Sequence, residues 1–431
     1  MQFAIHNHFI TLVGRFGWLW WGLALLALLG QGVAIWLNAY NGVPDYTDFL
    51  ALYASAKAWG DGLSLLHPYI YTPFFGHIAF VIAPDPAFAS DNLNFPLLAV
   101  LMAPITWLEL RSAYYLWCAV QLASALAVWI WLLSGVSRAW QGFAVLLMAL
   151  YFPVFANALI GQNGLWLFVL IGLFLGSLQR GQTKRAAFWL GLALLFKLFV
   201  GLLFIWLLLQ RQWRMVFMGS VVWGLGVLVS IAILGVQPHL EWGHLLVTHK
   251  IAALNWNASW QGVVVRYVPD TLSAIWAVAA AWLVCLAGLC YLAWRKADMR
   301  LGVALCLPMM LFLSPLGWLY YFPILLLAGW CFVQTGGYAQ RGPALLFLLG
   351  WLCSAVPQFL ATTSQELGTI ILTRGIDPDI KVENGQLVTY YANERTWLIL
   401  PEIYLVALVF IMIAVCWLSY KEKAKSTVSG M

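Results

Sequence analysis

Apolar runs of about 20 residues, each long enough to cross a hydrocarbon core, recur from one end of this chain to the other. Such runs leave few options. Lipid offers no hydrogen bonds to a backbone, so each run must satisfy its own N–H and C=O groups, and a helix does this within one segment. Composition points the same way: 63% of residues are hydrophobic and 9% charged, against about 25% charged in a soluble domain. The expected fold class is an all-α polytopic membrane protein, with a single transmembrane domain over residues 1–420. Crossings are expected at residues 18–37, 112–133, 139–157, 162–178, 215–235, 272–293, 301–316, 319–334, 343–361 and 398–419, about ten in all. The first run is too long for a signal-peptide core and has no small-residue cleavage site, so it reads as a retained span.

The apolar segment at 186–209 behaves differently. Arg180, Lys184 and Arg185 precede it, and Arg211 and Arg214 follow it. One crossing would put a basic cluster on the wrong side of the membrane. Two short helices of about 12 residues, each about 18 Å long, resolve the conflict as a re-entrant hairpin with Lys197 near its tip. Backbone that turns at that depth needs protein or a wet cavity around it.

This topology puts both termini in the cytoplasm and collects most of the 22 Lys and Arg residues there, including Arg15, Arg138, Arg295, Lys296, Arg300, Arg341, Lys421, Lys423 and Lys425. Of the 16 acidic residues, only Asp298 and Glu422 join them. The basic skew sets the orientation. The acidic skew suggests polar chemistry on the outer side. The long loops also lie outside, at 38–111, 236–271 and 362–397. The first holds two helix-like stretches, 48–59 and 95–108, too short or too amphipathic to cross and expected to lie at the interface. Residues 421–431 read as a disordered cytoplasmic tail. All seven cysteines fall in apolar runs, so neither a disulfide framework nor a metal site is expected.

Several outer-side residues carry chemistry. Asp48 opens a helix-like stretch; it suits an N-cap, a job Asp45 can also do, or a desolvated general base at the membrane edge. Lys197 is the one cation inside an apolar segment. A buried ammonium needs a partner, and the alternatives are snorkelling to the interface or contact with a lipid-borne phosphate. Lys250 and Arg266 are further phosphate candidates, since a guanidinium matches phosphate bidentately. Asn257 and Ser259 offer hydrogen bonds to a sugar, as do Gln162 and Asn163 in Gly161-Gln-Asn-Gly164. Trp318, Tyr320 and Tyr321 follow a Ser314-Pro turn and suit either an aromatic belt or a sugar platform. His244 and His249 lack a third ligand. The charges of the last loop, Arg374, Asp377, Asp379, Lys381, Glu383, Glu394 and Arg395, read as solvated surface.

The order of these motifs resembles glycosyltransferase family 87, in the GT-C superfamily of polyprenyl-phosphate-sugar-dependent enzymes. The resemblance rests on Asp48-Phe-Leu-Ala-Leu-Tyr53, Asn94-Phe-Pro-Leu-Leu-Ala-Val-Leu-Met-Ala-Pro104, Gly161-Gln-Asn-Gly164 and the Phe-Lys197 hairpin. It continues through Asn257-Ala-Ser259 with Gly262 and Arg266, and Ser314-Pro315 with Trp318. It implies a GT-C-like bundle and an alpha-mannosyltransferase-like activity. A mannose or related hexose would move from a polyprenyl phosphate to a hydroxyl of a glycolipid or glycan at the extracytoplasmic face of the cell (inner) membrane. Asp48 matches the family's base. The implied partners are the lipid-linked donor, the acceptor and the bilayer, with no nucleic acid and no cofactor or metal. Relatives carry a His after the Trp of the Ser-Pro motif, where this chain has Tyr320 and Tyr321. Competing classes are a flippase or transporter, which would show repeats and midplane charges, and an O-antigen ligase or polymerase.

Overall fold

The structure, a computed structural model, describes residues 14, 16–40, 47–60, 93–248, 257–268, 271–357, 379–383, 386–390 and 402–428, apart from the side chains of a few helix and strand positions. The chain falls into two compact units. One comprises Met1–Leu198 with Arg214–His249, the other Phe199–Trp213 with Lys250–Met431.

In chain order the first helices are α1 (Gly17–Tyr40), α2 (Thr47–Gly60) and α3 (Leu97–Met102), which passes into a 3₁₀ turn at Ala103–Trp107. Then come α4 (Leu110–Leu132), α5 (Arg138–Leu150), α6 (Phe152–Ile160), α7 (Gly164–Gln179) and α8 (Thr183–Phe196). A 3₁₀ turn at Leu198–Val200 leads to α9 (Gly201–Leu209), α10 (Trp213–Leu234), α11 (Gln237–Thr248), α12 (Trp260–Tyr267) and α13 (Thr271–Trp294). The last are α14 (Met299–Leu313), α15 (Ile324–Gln334), α16 (Arg341–Ser354) and α17 (Ile403–Val428).

Five of these helices are long and apolar enough to cross a membrane: α1, α4, α10, α13 and the Ile403–Tyr420 part of α17. The pair α5 and α6 makes a sixth if counted as one span, bent by 53°. Pro153 lies in the first turn of α6, where its missing N–H is tolerated although it would break a helix interior. The remaining expected spans fall on shorter helices: α7 has 16 residues, α14 15, α15 11 and α16 14. At about 1.5 Å per residue these are shorter than a core of about 30 Å. A hydropathy window merges such a helix with the apolar turn that ends it.

Within the segment at 186–209 the helix is interrupted at Lys197. Backbone there is extended (φ −148°, ψ 122°), ending α8. Two features differ from expectation. The loop expected at 362–397 contains an antiparallel strand pair, β1 (Asp379–Glu383) with β2 (Gln386–Tyr390), in which Lys381 pairs with Val388. And α17 runs on to Val428, so most of the tail expected to be disordered is helical. Lys, Glu and Ala are strong helix formers, and a span already nucleated needs no new nucleus to extend.

In the first unit α1 lies against α5, and α7 against both α4 and α8. Arg180 caps one end of this layer, its guanidinium 3.9 Å from the Trp131 ring centroid. In the second unit every residue of α14 from Leu301 to Leu313 is buried. The Trp206 indole of α9 sits over Gly302 and donates to the Met299 carbonyl at 3.1 Å. A Cβ on Gly302 would stand 1.9 Å from that ring. Gly302→Ala is therefore expected to destabilise the protein by about 2 kcal/mol, as overpacked cores do. Thermal unfolding in detergent checks this, and pairing with Trp206→Leu should recover most of the loss.

Candidate functional site

The site starts from an apolar cluster in the first unit. Phe49, Leu52, Tyr53 and Ala56 of α2 pack with Leu98 and Met102 of α3, Tyr114, Trp117 and Cys118 of α4, and Ala158 of α6. Phe49 is fully buried, with its ring 5.6 Å from Tyr114 and 6.4 Å from Trp117. Asp48, the residue before Phe49, belongs to the first turn of α2, where free N–H groups favour a carboxylate.

The other wall is the turn between α6 and α7. Gly161 ends α6 in the left-handed region (φ 70°). A Cβ there would approach the Phe49 Cβ to 2.4 Å. Glycine thus serves twice, permitting the turn and letting α2 come close. Outward-facing carbonyls of this turn are tied to α4: Trp117 donates to Gly161 O at 2.9 Å and Tyr114 to Leu159 O at 2.8 Å. Asp48 and Gln162 are brought together by this packing.

Polar groups then form a chain. Gln162 Nε2 donates to Asp48 Oδ2 at 2.8 Å. Gln162 Oε1 accepts from the Asn163 N–H at 3.0 Å, which fixes the amide's orientation, since only its nitrogen can then face the carboxylate. Asn163 Nδ2 donates to Asn94 Oδ1 at 2.8 Å. The same oxygen accepts from Lys197 Nζ at 2.9 Å. Gln162, Asn163 and Asn94 are buried, whereas Asp48 and Lys197 keep some accessible surface.

Protein around Asp48 removes most of its hydration and raises its affinity for a proton above that of an ordinary aspartate. The Gln162 hydrogen bond and the Lys197 charge both pull the other way, without cancelling the rise. Desolvation and a nearby cation are opposed influences on a carboxyl group, and here desolvation prevails.

In the second unit, Asn257 and Ser259 are fully buried. Their side chains hydrogen-bond to the chain around them. Asn257 pairs with Trp318 in an isolated antiparallel bridge. Its Nδ2 donates to Pro315 O at 3.1 Å, and its Oδ1 accepts from the Gly317 N–H at 2.9 Å. Ser259 caps α12, its Oγ accepting from the Gly262 N–H at 2.9 Å. Both side chains brace the Ser-Pro turn. Trp318 is partly exposed and its ring lies 6.4 Å from that of the buried Tyr320. Tyr321 is buried 5.6 Å from the Phe199 ring.

Of the residues singled out from sequence, Asp48, Gln162, Asn163 and Lys197 come together in the first unit. Asn257, Ser259, Trp318, Tyr320 and Tyr321 belong to the second. Arg266 is on α12, but its side chain, like Lys250, His249, Arg374, Asp377, Glu394 and Arg395, lies outside the described residues. His244 is exposed. Asn94 was missed. It stands in a recognisable Asn-Phe-Pro stretch, and a polar residue just before a Pro-led apolar helix is the signal that was there to find.

The family model for glycosyltransferase family 87 matches residues 93–315. No curated protein matches the chain.

The raised proton affinity of Asp48 has a measurable sign. A carboxyl group that holds its proton more tightly when folded adds stability that is complete below its unfolded value, near 3.8. That stability is lost as pH rises through the folded value. The difference in stability between the parent and Asp48→Asn should therefore turn against the parent as pH rises through this window. Gln162→Met, which removes a bond to the charged form, should extend the window to higher pH. Thermal unfolding across pH in detergent reads both.

Proposed function

Since the chain belongs to glycosyltransferase family 87 and is thus a membrane glycosyltransferase, we propose that Asp48 is the general base of a sugar transfer from a polyprenyl phosphate. The sugar is a mannose or related hexose. The acceptor is a hydroxyl of a glycolipid or glycan at the extracytoplasmic face, and the host bilayer is the inner membrane, with both termini cytoplasmic. One observation carries the reading: a carboxylate is held at 2.8 Å by an amide that cannot flip, with an ammonium close enough to act on it.

The chemistry needs little more. Asp48 takes the proton of the acceptor hydroxyl as its oxygen bonds to the anomeric carbon, and the bond from that carbon to the phosphate oxygen breaks. The phosphate keeps the electron pair and leaves without a proton, so no second carboxylate is required. Partial desolvation favours the step, because a carboxylate of raised proton affinity is a better base near neutral pH. Lys197 supplies positive charge for the phosphate as it departs. On residue type, Arg266 and Lys250 are assigned phosphate contacts, and Trp318 and Tyr320 sugar contacts. The skew of Lys and Arg toward one set of loops supports the sidedness.

The test uses the full chain in lipid nanodiscs, synthetic polyprenyl-phosphate mannose, glucose and galactose as donors, and a membrane glycolipid extract as acceptor. Asp48→Asn should lower turnover about 1000-fold while donor still binds; transfer at the parental rate would remove Asp48 as the base. Lys197→Met should lower kcat/KM for the donor about 100-fold.

A further inference from the structure

Asn94 presents one carbonyl oxygen to two donors, Lys197 Nζ at 2.9 Å and Asn163 Nδ2 at 2.8 Å. The backbone that carries it is clamped on both sides. Before it, the Leu93 carbonyl accepts from the Trp242 indole at 3.3 Å. After it, the Phe95 ring meets His239 and Trp242 edge-on, with centroids 5.6 Å and 5.2 Å away. Both of those residues belong to α11. Asn94 is therefore a fixed acceptor, whereas a lysine ammonium rides on a flexible four-carbon stem. Lys197 takes this neutral oxygen while Asp48 feels its charge through space.

We propose that Asn94 is a positioning residue that holds the Lys197 ammonium at a set distance from Asp48, keeping it from closing an ion pair with the base. The proposal rests on Asp48 being the base and adds what keeps it basic. A closed pair in a desolvated site would neutralise both partners at once: the carboxylate would lose proton affinity and the ammonium would be withdrawn from the phosphate. A neutral amide oxygen accepts from the ammonium without neutralising the carboxylate.

Among the described residues, α3, the Ala103–Trp107 turn and α6 lie against α2 and carry no ionisable side chain, and α4 packs there too. Tyr114 and Cys118 of α4 donate to the carbonyls of Leu159 and Ala158. On α2 itself, Tyr53 donates to Leu108 O at 2.9 Å, and Lys57 lies in the last turn. Among the described residues, Lys197 is the charged group that acts on Asp48.

The experiment reads the protonation of Asp48 directly. Dicyclohexylcarbodiimide adds to protonated carboxyl groups in apolar surroundings, and tandem mass spectrometry locates the adduct. The full chain in detergent is labelled across pH as parent, Asn94→Ala, Lys197→Met and the double variant. Asn94→Ala should shift the labelling midpoint of Asp48 to lower pH, because the released ammonium closes on the carboxylate. Lys197→Met should shift it upward, and adding Asn94→Ala to that variant should change nothing further. An Asn94→Ala midpoint that stays or rises overturns the proposal, as does the same downward shift without Lys197. If Asn94→Ala does not fold, Asn94→Asp retains an acceptor, keeps Lys197 in place and adds negative charge. Its midpoint should rise, and one that stays or falls overturns the proposal. Labelling does not depend on sugar transfer, so a failure here is distinct from a failure of Asp48 as the base.

Discussion

Holding a carboxylate where protein has displaced its water is the constraint from which the site follows. An isolated charge so placed would cost several kcal/mol, and the group would take up a proton rather than bear that cost. The chain answers with graded support. An amide of fixed orientation contacts Asp48 directly, and an ammonium, anchored to a different group, acts from further off. A carboxylate paired outright with lysine would be a weak base; one with no support would stay protonated. The arrangement lies between the two, where a base for a hydroxyl proton is useful.

That balance depends on apolar packing. Asp48 has no means of its own to reach Gln162, 114 positions away in sequence. Phe49 brings it there by burying its ring among Tyr114, Trp117 and Tyr53, and Gly161 leaves room for the Phe49 Cβ. Hydrogen bonds from Tyr114 and Trp117 to the carbonyls of the turn satisfy groups that lipid could not. The same aromatic residues thus form the core and hold the polar turn. Asn257 and Ser259 brace the Ser-Pro turn in the same way, each donating to the Pro315 carbonyl.

Legibility differed from element to element. An interruption near Lys197 was expected from the two basic clusters that flank one apolar segment, and the helix does end there. Asp48 at the start of a helix was readable from its local sequence. The lengths of α7, α14, α15 and α16 were not, because hydropathy does not separate a helix from the apolar turn beside it. Asn94 went unassigned because its partners, Asn163 and Lys197, are 69 and 103 positions away.

By itself the sequence determined the solvent in which this protein folds, the helical class and the residue types available for chemistry. Those properties come from composition and from patterns repeated within about 20 residues. Tertiary structure alone decided which amide faces Asp48, which oxygen holds Lys197, and that Asn257 and Ser259 turn inward. Such choices depend on contacts between residues far apart in the chain, and a local pattern has no means of recording a distance across a fold.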